Sequence, residues 1–287
     1  MARKRANLTD LLNDLTFKTV FEKFKLISIN AFEWDGLPDG ILERHIERVL
    51  FDHGKAIFFR DPQMSYMCLE TQDSTQLNVY GDPLHYRAYG YNYNREYAAD
   101  DCVIIENNKL RLNTYDFVMH YVNKIVEAER TMDVNVKAVK TPIIFACDDS
   151  TAMTLKAISS KVDGNVPYLY IDKSISLNDI TTLDTGANFL CNDLMDYKKS
   201  VENELLTFLG LNNTPVDKKE RLITDEAEAN DELIASFADL QLEARERACK
   251  LINKMYGLNV TVRRRLVDNS DNFEDNSEGG DDNEQLG

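Results

Sequence analysis

Residues 211–231 read LNNTPVDKKERLITDEAEAND and separate two long segments with helical hydrophobic spacing. The stretch is polar, and its charges are sorted along the chain: Lys218, Lys219 and Arg221 precede the acidic run Asp225–Glu228. A loop of this length inside a compact domain is uncommon and is usually functional or mobile. Two helices that hold a charged loop are poorly suited to a small-molecule pocket. They are well suited to contact with a long charged polymer.

The composition is that of an acidic globular protein. The chain has 287 residues, 43% of them hydrophobic and 29% charged, and its net charge is −16. A chain of that length buries a core and can divide into two domains. The charge argues against a simple nucleic-acid coat protein, which carries basic patches. It fits a surface past which nucleic acid slides without sticking, although acidity that only keeps the chain soluble remains the alternative.

Targeting and redox signals are weak in this sequence. No run approaches the roughly 18 consecutive apolar residues of a membrane span, and no apolar core follows the basic N-terminus, so neither a span nor a secretory signal is predicted. The five cysteines are scattered and include no CxxC pair. That pattern favours reduced thiols in a cytosolic setting, without a disulfide framework or a zinc site.

Apolar residues at three-to-four spacing predict a mainly helical chain with short strands, an α+β protein. Helices are predicted over residues 7–29, 41–51, 113–134, 150–161, 186–208 and 226–256, and Gly257 ends the last of them. Strands are predicted over residues 54–59, 67–69, 77–80, 102–105, 141–146, 166–171 and 258–266. The first four of these strands, separated by turn residues, suggest a small barrel.

No constellation of catalytic residues is apparent. The four histidines are far apart, and the chain contains no GxxxxGK[ST], GxGxxG or GxSxG motif. Asp148 and Asp149 follow a strand and could hold a metal, but capping of the next predicted helix explains them as well. The sequence therefore predicts no enzymatic activity, no cofactor and no metal site.

Three further features each allow more than one interpretation. The first is the basic arm Arg3–Arg5, which suits phosphate contacts. The second is Arg263–Arg265 on an edge strand, which could repel strand addition or form ion pairs between subunits. The third is a tyrosine cluster that could stack on bases or form half-buried sheet surface or a subunit interface; it comprises Tyr80, Tyr86, Tyr89, Tyr91, Tyr93 and Tyr97.

A series of short segments, taken in order, carries a family resemblance. They are Met1–Arg5, Phe32–Trp34, Leu37–Pro38, Gly54–Phe59, Asp61–Pro62, Ser65–Tyr66, Lys140–Pro142, Thr207–Gly210, Lys218–Arg221, Thr224–Glu226, Asn230–Glu232, Ile252–Asn253 and Tyr256–Val260. Together they resemble the upper collar proteins, also called head–tail connectors or portals, of phi29-like tailed bacteriophages. The resemblance covers about residues 1–262, and its strongest part is the run from Thr207 to Glu232.

That resemblance implies a ring-forming portal fold, α+β and mainly helical, with a defined order of segments. The segments are a basic N-terminal arm (1–10), a wing with an SH3-like barrel (11–111), a stem helix (112–138), an α/β clip (139–186), a second stem helix (187–210), a channel loop (211–226), a long wing helix with an edge strand (227–266) and a disordered acidic tail (267–287).

The same resemblance implies residues for contact with DNA and with the packaging motor. The channel loop would contribute Lys218, Lys219 and Arg221 to bands of positive charge at the constriction. The channel stem would contribute Asp184, Asp193 and Lys198; Asp184 and Asp193 occupy positions that are lysines in the type member. Arg3, Lys4 and Arg5 would dock the motor, which in some relatives includes a structural RNA.

The implied assembly is a dodecameric homo-oligomer at the head–tail vertex of the virion, built in the host cytoplasm. Its partners would be double-stranded DNA in the channel, the packaging ATPase, the major capsid and scaffolding proteins, and the lower collar and tail proteins, with no membrane. The alternative is a nucleic-acid-binding regulator that uses the basic arm and the tyrosine cluster.

Overall fold

The computed structural model describes residues 8–140, 143–146, 181–184, 188–211 and 224–265. Two compact units divide the chain: a helical unit of Met1–Lys25 with Tyr115–Ala238, and a sheet unit of Leu26–Thr114 with Asp239–Gly287. The helices are α1 (Leu8–Ile29), α2 (Glu43–His53), α3 (Tyr115–Lys140), α4 (Cys191–Phe208) and α5 (Thr224–Tyr256). The strands are β1 (Phe32–Asp35), β2 (Lys55–Asp61), β3 (Ser65–Asp73), β4 (His85–Gly90), β5 (Tyr93–Ala98), β6 (Cys102–Glu106), β7 (Ile143–Ala146), β8 (Thr181–Asp184) and β9 (Thr261–Arg264).

The sheet unit is built on five antiparallel strands in the order β5-β4-β3-β2-β6. The described strands form no ladder between β5 and β6, so backbone pairing does not close the predicted small barrel. The sheet is nevertheless strongly curled. β5 lies three strands from β2, which is about 14 Å in a flat sheet, yet the ring centroids of Tyr97 on β5 and Phe59 on β2 are 4.4 Å apart.

Both faces of β2 are buried, because its alternating side chains enter two different cores. Ile57 and Phe59 point into the curl, where the core also contains Tyr86, Ala88 and Cys102. Phe58 points to the other face, which α2 and the C-terminal half of α5 cover with Ile46, Leu50, Ala248 and Ile252. Burial of each large apolar side chain contributes about 1.5–3 kcal/mol relative to exposure, so this strand anchors the unit.

A buried ion pair joins α5 to α2. Arg245 donates from Nε to Glu47 Oε1 at 2.9 Å and from Nη2 to Glu47 Oε2 at 2.7 Å, and both side chains are 2% exposed. Arg245 also donates to the backbone and side-chain oxygens of Asn107, and its guanidinium lies 4.1 Å from the Phe32 ring centroid. Trp34 Nε1 also donates to Glu47 Oε1 at 2.8 Å. Both oxygens of the buried Glu47 carboxylate therefore accept hydrogen bonds.

Two further contacts fix the chain near this pair. β1 pairs antiparallel with β9, with Phe32 opposite Arg264 and Asp35 opposite Thr261. Gly54 follows α2 at φ +78°, and a Cβ atom there would lie 2.3 Å from the Arg111 carbonyl oxygen. Glycine is therefore required at this close approach of two backbones.

The helical unit contains an antiparallel pair formed by α3 and α4. At one end Phe117 stacks on Phe208, with ring centroids 4.4 Å apart. At the other end Asn135 Nδ2 donates to the Asn188 carbonyl at 2.8 Å, and its Oδ1 accepts the Leu190 amide at 2.9 Å. β7 and β8 follow α3 and precede α4 in the sequence, and they pair antiparallel with each other.

Several sequence predictions differ from the structure. The predicted strand over residues 77–80 is a turn, because Asn78 Oδ1 accepts the amides of Tyr80 and Asp82 and so competes with strand pairing. The turn predicted at residues 32–38 begins with strand β1. The predicted helix over 150–161 and strand over 166–171 lie outside the described residues. The strands β4, β5 and β8 were not predicted.

Candidate nucleic-acid interface

The α3–α4 pair carries two of the predicted stem residues, Asp193 and Lys198, and Lys198 is paired across the two helices. Lys198 Nζ lies 2.6 Å from Glu129 Oε1 on α3, and each side chain is about one-quarter exposed (26% and 25%). Val201 and Leu205 are buried along the same side of α4. Lys198 therefore serves the contact between the two helices, and its charge is neutralised within the subunit.

The exposed charge on α4 is mainly negative. Asp193 and Asp196 are exposed and lie one turn apart, and Lys199 approaches Asp196 only at 4.0 Å, with both side chains largely in water. Exposed ion pairs of this kind contribute little. A duplex that approached this face would meet carboxylates rather than a row of cations.

The other predicted site residues are outside these contacts. Asp184 ends β8 and pairs through its backbone with Ile143. Two groups of predicted site residues lie outside the described residues. They are Arg3, Lys4 and Arg5 of the predicted motor-docking arm, and Lys218, Lys219 and Arg221 of the charged loop. Their roles remain predictions.

The tyrosine cluster does not form one stacking surface. Tyr86 is buried, whereas Tyr80 and Tyr91 are 87% and 99% exposed on separate turns. Tyr93 and Tyr97 pack on Phe59 inside the curl. The half-buried sheet surface that the sequence offered as one interpretation is therefore correct for most of the cluster, and no row of open rings is left for bases.

A carboxylate on β2 holds two of these tyrosines in place. Tyr93 donates its hydroxyl to Asp61 Oδ2 at 2.7 Å, and Arg95 donates to the same oxygen at 2.9 Å. The Tyr93 hydrogen bond, with further bonds from the Gln63 and Met64 amides and the charge of Arg95, lowers the pKa of Asp61 to about 2. Asp61 is thus a fixed anion that shapes the curl.

The arginines near the C-terminal edge strand have partners within the subunit. Arg263 pairs with Glu33 at 3.0 Å, and Arg265 pairs with Glu43 at 2.8 Å. These contacts clamp β9 onto β1 and α2, so the predicted pairing between subunits is not needed to satisfy them. Sequence reasoning missed these contacts and the Arg245–Glu47 pair, because the partners are about 200 positions apart.

The described residues contain no group of three or more His, Cys, Asp or Glu side chains that could hold a metal ion. None of the helices described is both long enough and apolar enough to cross a bilayer.

Comparisons with known proteins give one consistent result. A family model described as Phage Connector (GP10) matches residues 2–267. A portal protein of Staphylococcus phage 44AHJD is 22% identical over 162 residues, which cover 55% of this chain and 64% of that relative. The chain thus aligns with less than two thirds of the relative's length.

Solved structures with similar chains also come from phage portals. The portal and tail of native bacteriophage P68 gives a TM-score of 0.49 at 15% identity, covering 94% of each chain. An HK97-family phage portal protein from Corynebacterium diphtheriae gives a TM-score of 0.49 at 10% identity, covering 92% of this chain and 96% of that one.

Proposed function

Because the chain belongs to the phage connector (GP10) family, we propose that its copies close into a ring, a dodecamer, around a channel for double-stranded DNA. The ring is a head–tail connector, or portal, that admits DNA during packaging and releases it during ejection. The single observation that carries the proposal is the family match, which spans residues 2–267.

The α3–α4 pair suits the wall of such a channel. α3 has 26 residues and α4 has 18, so the rods are about 39 and 27 Å long. Stacked aromatic rings fix one end and the Asn135 hydrogen bonds fix the other. A rigid wall of this kind keeps its shape under a passing polymer.

The charge on α4 suits sliding rather than tight binding. Each phosphate contact made by a free cation releases counterions and strengthens binding. On α4 Lys198 is paired with Glu129, and Asp193 is exposed. We therefore assign these residues and Asp184 to a largely acidic stem, and Lys218, Lys219 and Arg221 to a cationic channel loop.

The remaining segments follow the same scheme. The wing is residues 11–111 together with the long helix and edge strand of 227–266. Its curled five-stranded sheet favours an SH3-like barrel that side chains close, since no ladder joins β5 to β6 among the described strands. The segment 139–186 is the clip, and Arg3, Lys4 and Arg5 dock the packaging ATPase, with or without a structural RNA. The ring contacts major capsid and scaffolding proteins and the lower collar or tail. It acts in the virion after assembly in the host cytoplasm, without enzymatic activity of its own.

Negative-stain images of the purified protein, with light scattering for the mass, test this proposal. Closed rings with a central hole are expected. A chain that stays monomeric at every concentration and salt would overturn it.

The channel loop is tested separately. The Lys218→Ala/Lys219→Ala variant should still form rings but should impair the retention of packaged DNA. The Lys250→Ala/Lys254→Ala variant removes two exposed lysines from α5 and is the matched control, which should package normally. Loss of rings in the first variant alone would make the loop an assembly element instead.

A further inference from the structure

The exposed surface of α2 is basic although the chain as a whole is acidic. Its four exposed residues are Arg44, His45, Arg48 and His53, and none of them is acidic or apolar. His53 faces Glu70 at 3.5 Å. Arg44 and Arg48 are one helical turn apart, about 6 Å along the axis, and point to the same side.

These two arginines are unlike the others in the described part of the chain. Every other described arginine has an ion pair, a hydrogen bond or a ring contact. No described carboxylate pairs with Arg44 or Arg48. Like charges at this spacing destabilise a helix, so the pair is unfavourable within the subunit.

The field of the pair reaches the residue between them. Desolvation lowers the pKa of His45, and the charges of Arg44 and Arg48 lower it further. In a chain with a net charge of −16, Arg44 and Arg48 are thus exposed cations that form no ion pair with a described carboxylate, although Asp52 lies one turn after Arg48 on the same helix.

The chemistry of this face favours a polyanion over a folded protein partner. Protein interfaces bury an apolar core, and α2 exposes no apolar side chain. Guanidinium groups bind phosphate oxygens through two parallel hydrogen bonds. Phosphates of one DNA strand recur every 3.4 Å or so along the duplex axis, so two arginines about 6 Å apart on a helix can each reach a different phosphate.

We propose that the outward face of α2 binds the phosphodiester backbone of double-stranded DNA through Arg44 and Arg48. This site lies on α2 in the sheet unit and uses none of the residues assigned to the stem or to the charged loop. It rests on the proposed function, which supplies duplex DNA as the polyanion. The contact is to phosphate, so it carries no sequence specificity.

Binding of a labelled duplex oligonucleotide to the full chain, followed by fluorescence anisotropy from about 50 to 200 mM salt, tests the site. Each neutralised phosphate contributes about 0.9 to the slope of log K against log salt. Arg44→Ala/Arg48→Ala should reduce that slope by about 1.8, and Arg44→Lys/Arg48→Lys should keep most of it because the charge remains.

The matched control is Arg87→Ala/Arg263→Ala, which removes two exposed arginines that are paired with Glu96 and Glu33. It changes the net charge equally and should leave the slope unchanged. An equal loss of slope in both double variants would make net charge the cause and overturn the proposal.

Images of the rings separate the remaining outcomes. If Arg44→Ala/Arg48→Ala abolishes rings and leaves the DNA slope unchanged, the pair contacts another copy of the chain, and the proposal is wrong. If the unaltered protein forms no rings but the slope still depends on Arg44 and Arg48, the DNA site stands and the proposed channel function fails.

Discussion

Removal of the Glu47 carboxylate should destabilise the sheet unit more than removal of the whole ion pair. In Glu47→Gln the Arg245 guanidinium stays buried but loses its counter-charge. Breaking one partner of a buried ion pair costs about 3–5 kcal/mol, whereas replacing both with apolar side chains is often neutral or stabilising. Glu47→Leu/Arg245→Met leaves Asn107 Oδ1 and Trp34 Nε1 without these partners, so we expect a net cost of about 1–3 kcal/mol.

The chain carries its own reporter for this measurement. Trp34 is the only tryptophan, it is buried, and its Nε1 donates to Glu47. Fluorescence on heating should therefore follow this unit. A loss of 3–5 kcal/mol should lower the midpoint by roughly 6–20 °C. As a control, Glu243→Gln breaks the exposed pair with Lys109 at 2.8 Å and should leave the midpoint nearly unchanged, because exposed ion pairs contribute little.

The test is whether the losses in the free energy of unfolding add between the single variants and the double variant. If Glu47→Leu/Arg245→Met loses as much free energy of unfolding as Glu47→Leu and Arg245→Met lose together, the two charges do not compensate each other, and the proposed role of the pair is wrong. A loss below about 1 kcal/mol in Glu47→Gln would show that water reaches Arg245 and that the site is not buried in solution.

Three further outcomes are expected. Gly210→Ala should cost about 1–3 kcal/mol in urea unfolding, because φ is +71° and the new Cβ would lie 2.5 Å from the Ala238 Cβ. The control Gly257→Ala has a similar φ of +68° but open space around the new Cβ, so it should cost less. Equal losses in the two variants would rule out the clash. The pKa of Asp61 is lowered to about 2 in the folded chain, so its ionised form stabilises the fold above about pH 4 and that contribution is lost as pH falls toward 2. Asp61→Asn should therefore flatten the dependence of the free energy of unfolding on pH in this range. An unchanged dependence in the variant would contradict this role of Asp61. Burial raises the pKa of Cys68 to about 12, so at pH 8 a disulfide reagent should modify it only after denaturation, and rapid modification of the native protein at this residue would refute its burial.

Local signals in the sequence predicted the long elements well. Helical spacing gave α1, α3, α4 and α5 nearly in full, and the expected helix end at Gly257 agrees with its φ of +68°. A run of apolar residues marked β2 because both of its faces are buried. These elements depend on neighbours in the chain, which a single sequence displays.

Long-range pairing could not be predicted in the same way. β1 pairs with β9, so the short segment Phe32–Asp35 looks like a turn until its distant partner is known. Arg245 and Glu47 resemble ordinary surface charges in a helical pattern, and only the packing of α5 on α2 buries them. The resemblance to portals is confirmed at the level of the family by a match over residues 2–267, whereas the roles of Lys218, Lys219 and Arg221 stay predictions.

The pairing of β7 with β8 has a practical consequence for chimeras. Ala146 lies opposite Thr181 in the ladder, so the two ends of the segment between them are already adjacent. A two-residue turn such as Asn-Gly can join antiparallel strands at such a point. Inserts from other connectors could therefore be exchanged here at a single junction, with α3 and α4 left as an unaltered base.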